Sequence, residues 1–209
     1  MPETTRSTRR LLAPVLAAAA LLLSACGGGS EASTAQLSAQ VVDPPFDVSS
    51  TPLTDTEGEP FSLTDDTDAR LTLVFFGYTR CPDICPAVLT NLASAMTRLD
   101  EADREQVEVV FVTSDPARDD AETVRSYLDR IDPDFTGLTG DLDDIEEVGE
   151  SIAIGVTDGT RLPSGGYDPN THSTQVVAID GGDDAPLYWG QETSSAQFAA
   201  DIHALLERG

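Results

Sequence analysis

Cys81 and Cys85 lie in the stretch FFGYTRCPDICP (75–86), and their spacing decides what chemistry is open to them. Positions i and i+4 share a face in a helix. Here each cysteine precedes a proline, Pro82 and Pro86, which disfavours helical backbone at both cysteines. A proline is accepted in the first turn of a helix. The pattern therefore predicts Cys85 at or near a helix N-cap and Cys81 in a loop curling back over it. Both sulfurs would then face the positive end of a helix, which favours thiolate, for Cys85 most directly. Two such thiolates can exchange with a disulfide or hold a soft metal. Sulfur ligands suit Cu(I), and an added imidazole suits Cu(II) as well. A structural disulfide between them would close a very small ring and constrain little of the unfolded chain.

A metal held by two sulfurs calls for a further ligand, and the chain has two histidines. His203 falls beside the apolar stripe of the last predicted helix and reads as a surface or boundary residue. His172 stands where a polar loop meets a strand, among Asn170, Thr171 and Ser173, and no apolar stripe claims it. It is the candidate third ligand.

The elements that must position these residues follow from hydrophobic spacing. LTLVFF (71–76), VEVVFVT (107–113) and 175–179 read as buried strands. Helical spacing follows the cysteine loop (Leu89, Leu92, Met96, Leu99) and recurs at Val124, Tyr127, Leu128 and Ile131. Asp119 and Glu122 have capping-box spacing ahead of the second of these helices. Ile145, Val148 and Ile152 mark a short helix. Ser194 and Gln197 cap a last one with Phe198, Ile202, Leu205 and Leu206 on its inner face. Phe46 to Leu63 reads as a short hairpin turning at Asp55, Glu57 and Gly58. The strand after His172 turns at Gly181-Gly182 into Leu187-Tyr188-Trp189. Gly155 to Thr171 is a long Gly/Pro/Asp/Asn-rich loop, a feature more often functional than average. Alternating strands and helices predict an α/β fold with a central mixed sheet flanked by helices and an N-terminal β-hairpin. A cysteine pair between a central strand and a helix is the arrangement of the thioredoxin fold.

The first residues read as an address. Arg6, Arg9 and Arg10 precede the apolar stretch from Leu11 to Ala25, which is short for a membrane span. It ends in Leu-Ser-Ala-Cys at Cys26, followed by three glycines. This resembles a bacterial lipoprotein signal, with residues 1–25 removed and Cys26 acylated. Residues 26–45 would be a flexible tether with a reach of about 25 Å, and 46–209 the folded domain. The expected location is the cell membrane, lipid-anchored, on the extracytoplasmic face. There the two remaining thiols meet an oxidising milieu. The chain has 12 basic residues, all arginine, against 37 acidic ones. That balance argues against nucleic-acid binding and permits cations or basic proteins as partners.

Four segments together closely resemble the SCO/SenC family of cytochrome c oxidase assembly proteins: FFGYTRCPDICPAVL (75–89), SDPARDDAETVRSYL (114–128), LTGD (138–141) and THSTQVVAID (171–180). The resemblance implies a thioredoxin-like fold and a single copper site, with Cys81, Cys85 and His172 carried over as ligands. It implies a membrane-tethered metallochaperone that supports the copper A centre of cytochrome c oxidase subunit II; it names no copper donor. The alternative is a thiol–disulfide oxidoreductase that reduces that centre's cysteines, with Cys81 and Cys85 as the redox pair. Oxidoreductases typically have two residues between their cysteines rather than three. A peroxiredoxin-type peroxidase would have threonine where Tyr78 stands. The chain departs from the family in having Thr171, not an acidic residue, before the histidine; Asp168 lies four residues upstream as a candidate to orient the ring. Asp115 could approach the site from a strand end or serve as a turn residue before Pro116. Asp83 has no expected metal role, and Tyr78 is expected to pack beneath the loop.

Overall fold

The run at 71–76 becomes β4 (Leu71–Gly77), buried at every position. In the computed structural model it lies next to β5 (Val107–Thr113) in parallel, with Leu71 opposite Val107 and Gly77 opposite Thr113. β9 (Val176–Asp180) runs antiparallel on its other side. A strand with neighbours on both edges and packing on both faces must be apolar throughout, which explains the unbroken hydrophobic run. The structure describes residues 37–157, 160–161, 167–168 and 173–208, the two short pairs as backbone. The predicted signal segment, Cys26, Thr171 and His172 lie outside the described residues.

The full sheet also contains β1 (Gln40–Asp47), β2 (Leu53–Asp55), β3 (Pro60–Phe61), β6 (Thr136–Thr139) and β10 (Asp184–Trp189). Its order is β1-β10-β9-β4-β5-β6-β2-β3. The β4–β5 and β5–β6 pairs are parallel and the rest antiparallel, so the sheet is mixed. β2 and β3 form the predicted hairpin. Within the long Gly/Pro-rich loop, β7 (Thr160–Arg161) and β8 (Tyr167–Asp168) pair as a separate two-stranded ribbon.

Alternation along β4 and β5 divides the core. Leu73, Phe75, Val109 and Phe111 meet the apolar stripes of α1 (Ile84–Met96), α3 (Ala121–Leu128) and α5 (Ser195–Leu206). Val74, Phe76, Val110 and Val112 meet Ile145 and Val148 of α4 (Leu142–Ser151). Each fully buried Leu or Phe in these layers contributes about 2 kcal/mol. The short α2 (Glu101–Arg104) sits beside α5, whose predicted Ser194–Gln197 capping box forms.

Two expectations change. The tether, read as running to residue 45, gives way to strand by Gln40. β1 contains Pro44 and Pro45, and as an edge strand it tolerates them, since the missing N–H costs no ladder bond. The cap of α3 is Asp120, which accepts from Thr123 N–H at 2.9 Å, while Asp119 turns inward.

The chain entering β1 is held by a buried carboxylate. Asp201 on α5 accepts from the backbone N–H groups of Ser38 (2.8 Å) and Ala39 (3.1 Å), from the Ser38 hydroxyl (2.5 Å) and from the indole N–H of Trp189 (2.9 Å). Removing the acceptor would leave several part-buried donors unsatisfied, at about 1–3 kcal/mol each. Asp201→Ala should therefore lower the urea midpoint by an amount equivalent to about 3 kcal/mol with an unchanged slope. Trp189, the single tryptophan, reports the transition by fluorescence. A midpoint shift below 1 kcal/mol would show that these bonds do not fasten the segment.

Candidate metal and thiol centre

The cysteine loop leaves the sheet at the C-terminal end of β4. Ligand sites of open α/β sheets form at the carboxyl ends of parallel strands, and the segment after β5 leaves from the same edge. The backbone turns at once: Cys81 N–H donates to the Tyr78 carbonyl at 3.1 Å. α1 then begins at Ile84, with Asp83 as N-cap, its carboxylate accepting from Ile84 N–H at 2.7 Å. Cys85 is the second helical residue, near the cap as expected, and Asp83 is the cap itself. Pro86 takes the third position, where the N–H would have no partner in the helix.

The two sulfurs end up in different surroundings. Cys85 is fully buried and Cys81 half-buried, and both thiols are unbridged. Cys85 N–H, one of the free donors of the first turn, points at Cys81 Sγ at 3.3 Å. The helix end thus serves Cys81 rather than Cys85. Burial pushes the Cys85 thiol well above its ordinary range, and hydrogen bonding with the Cys81 thiol adds to the shift. The expectation that the helix would favour thiolate at Cys85 first is overturned, because desolvation outweighs the dipole.

Gly77 makes the buried position possible. A Cβ there would lie 3.0 Å from Cys85 Sγ, 3.0 Å from the Phe111 ring and 3.1 Å from Phe75. Any larger residue would push the sulfur off the end of β4. Tyr78 packs against the same cluster, as expected, and burial followed by the neighbouring Cys81 raises its hydroxyl to about 12. Tyr127 on α3 stacks on Phe111, ring centroids 5.7 Å apart. Burial, then Cys85 and Cys81, raise its pKa too. Its hydroxyl has no hydrogen-bond partner among the described residues.

The segment after β5 supports the loop. The Asp115 carboxylate is engaged by the Arg118 guanidinium, and its carbonyl accepts from Arg118 and Asp119 N–H at 3.0 Å each. It serves as the turn residue before Pro116. Arg118 lowers the pKa of Tyr78, so this ion pair borders the loop. Asp119, fully buried, accepts from Thr79 N–H (2.8 Å), Thr79 hydroxyl (2.6 Å) and Thr113 hydroxyl (2.8 Å).

His203 is a surface residue on α5, its Nδ1 2.6 Å from Asp103, whose hydrogen bond raises its pKa. His172 is outside the described residues. The chain after it is placed: Val176 pairs with Phe75, and Ser173 N–H donates to the Gly155 carbonyl at 3.2 Å. The described chain from Ser173 to Val176 therefore enters β9 at the end of the sheet from which the cysteine loop leaves. Among the described residues no cluster of three His, Cys, Asp or Glu side chains suits a metal ion. Two thiols are donors that suit a soft cation. Gly77, Thr79 and Tyr127 were missed in the sequence, and Asp119 was given the wrong task. A glycine ending an otherwise apolar strand beside a cysteine motif is the one signal that could have been used.

The family model for SCO1/SenC matches residues 35–207, and the chain belongs to that family. It is 31% identical over 129 residues to a Stutzerimonas stutzeri protein whose name refers to copper binding, covering 62% of this chain and 63% of that one. Across the first curated relatives the chain spans between 32% and 63% of their length. The solution structure of apo Sco1 from Thermus thermophilus superposes with a TM-score of 0.73 at 27% identity, covering 81% of this chain and 97% of that one. Bradyrhizobium japonicum ScoI, solved with copper bound, gives 0.63 at 29% identity over 76% and 96%. The fold is thioredoxin-like, as the order of elements predicts.

The asymmetry of the thiols has a direct readout. At pH 8 an alkylating reagent should label Cys81 and spare Cys85, because burial keeps the Cys85 proton on and blocks access; Cys85 should react only after denaturation. Peptide mapping by mass spectrometry decides this, and equal labelling of both in the native protein would contradict the arrangement.

Proposed function

We propose that this chain is a membrane-tethered copper metallochaperone that supports assembly of the copper A centre of cytochrome c oxidase. Copper is its cargo, held by Cys81, Cys85 and His172. The observation that carries this reading is the pair of unbridged thiols at the start of α1, one fixed against Gly77 and one half-exposed. Thiolates suit Cu(I), and an imidazole extends the set to Cu(II). Cys85 provides the fixed donor. Cys81 provides the donor a partner can reach, so exchange of cargo would start at Cys81. Membership of a family with a copper-bound relative supports the choice of metal. Cys26 would carry the lipid anchor at the outer face of the cell membrane, with subunit II of the oxidase as recipient. The acidic chain suits a cationic cargo and a recipient with a basic face.

The same asymmetry favours a second reading, thiol–disulfide exchange with subunit II. The open Cys81 thiolate would attack a partner disulfide and release one partner thiolate. Cys85 would then displace the second from the mixed disulfide. The partner gains two electrons and the chain is left with a Cys81–Cys85 disulfide.

Anaerobic loading should give one copper per chain by elemental analysis with two thiols accounted for, and His172→Ala should weaken Cu(II) binding and change its absorption spectrum. An unchanged Cu(II) affinity and spectrum would remove His172 from the site. In cells, oxidase assembly should fail in both His172→Ala and Cys81→Ser. Loss in Cys81→Ser alone would make thiol exchange the main activity.

A further inference from the structure

We propose that Asp119 is the positioning residue of the cysteine loop: its buried carboxylate sets where the Cys81 sulfur stands relative to Cys85. The inference rests on the thiol pair being the working centre, as read above.

Three donors converge on this one side chain. Oδ2 accepts from Thr79 N–H at 2.8 Å and from the Thr113 hydroxyl at 2.8 Å, and Oδ1 accepts from the Thr79 hydroxyl at 2.6 Å. The Thr113 oxygen in turn accepts from Asp115 N–H at 3.1 Å. The Asp119 carbonyl accepts from the Thr139 hydroxyl at 2.9 Å. One residue thus joins the chain just beyond β4, the end of β5 and the end of β6. Hydrogen bonds to an ionised acceptor are shorter and stronger than neutral ones, and at zero exposure water does not compete for them.

The consequence falls on Cys81. Thr79 is the middle of the turn closed by Cys81 N–H on the Tyr78 carbonyl. Holding Thr79 at both its N–H and its hydroxyl fixes that turn, and the turn sets Cys81 Sγ over Cys85 N–H. Cys85 needs no such help, since Gly77, Phe75 and Phe111 already hold its sulfur. The Cys81 thiol, half-buried against the same core cluster, is placed by a carboxylate 38 positions along the chain.

Asp119→Asn keeps the shape but turns one acceptor oxygen into a donor, so at least one of the Thr79 or Thr113 groups faces an N–H. In the full-length chain, Cu(I) affinity measured against a chromophoric Cu(I) chelator should fall about tenfold, the scale of effect for groups that orient metal ligands. The equilibrium of the dithiol with oxidised glutathione, which yields the chain's disulfide and two reduced glutathiones, should shift by a similar factor. Thr79→Val should move both in the same direction by less, and Thr79→Ser should restore both. The double variant should fall short of the sum, because one interaction is being removed twice. A folded Asp119→Asn with wild-type affinity and glutathione equilibrium would overturn the inference. If that variant fails to fold, Thr79→Val against Thr79→Ser decides by the same two readouts, and no difference between them overturns it. If the wild-type chain takes up no Cu(I), the copper reading fails, and Asp119 is judged on the glutathione equilibrium and the Cys81 alkylation rate, either of which overturns it by staying unchanged.

Discussion

The parallel ladder between β4 and β5 is the constraint on which the rest of the site depends. It sets Gly77 opposite Thr113, so the two chains leave the sheet at one edge and in one direction. One then forms the cysteine turn and the other the Asp115–Asp119 turn. Both loops are anchored by buried residues, Tyr78 in one and Ser114, Asp115 and Asp119 in the other. Ser114 N–H and hydroxyl both donate to the Gly77 carbonyl, at 2.6 Å and 3.1 Å, stitching the loops together one residue past the strands. A one-residue slip of either strand would send its phenylalanine, Phe75 or Phe111, to the opposite face. Cys85 would then lose the wall it rests on.

From that edge the two thiols are made unequal by elementary means. Cys85 is buried among apolar side chains, which pushes its thiol pKa up; Cys81 is half-open and receives the N–H of the first helical turn. A symmetrical pair on one helix face would expose both sulfurs to solvent and to oxidation. The observed arrangement exposes one. For a metal cargo this separates the fixed donor from the labile one, and for thiol exchange it separates attacking from resolving sulfur. The geometry is common ground to both chemistries, which differ in whether a third donor arrives from the 155–172 segment.

Much of this was legible in the sequence, and the misses have physical reasons. The unbroken runs at 71–76 and 107–113 announce strands buried on two faces. β6 was not foreseen because four residues, TGLT, carry no period, and its glycine is there for α3: a Cβ on Gly137 would meet Val124 at 2.6 Å. β1 was hidden by the Gly, Ser, Ala and Gln composition that makes 26–45 read as a tether. The cysteine pair was visible from spacing, but its inequality was not, since burial depends on what Gly77 leaves empty. Adjacent aspartates at 119 and 120 offer the same capping signal one residue apart, and only the direction in which the chain enters α3 decides which one caps.

That pair of aspartates also shows how an acid-rich chain builds its interior. With 37 acidic residues against 12 arginines and no lysine, basic side chains are scarce partners. The two carboxylates buried most consequentially, Asp119 and Asp201, are satisfied by neutral donors: threonine and serine hydroxyls, backbone N–H groups and an indole. Neither is paired with a basic side chain among the described residues. A neutral donor carries no charge of its own to desolvate, so several of them around one carboxylate avoid half the cost of a buried ion pair. They also fix direction, because each N–H or O–H must point at an oxygen. Asp201 uses this to fasten the start of the domain to its last helix, and Asp119 to bind three strand ends at the cysteine edge.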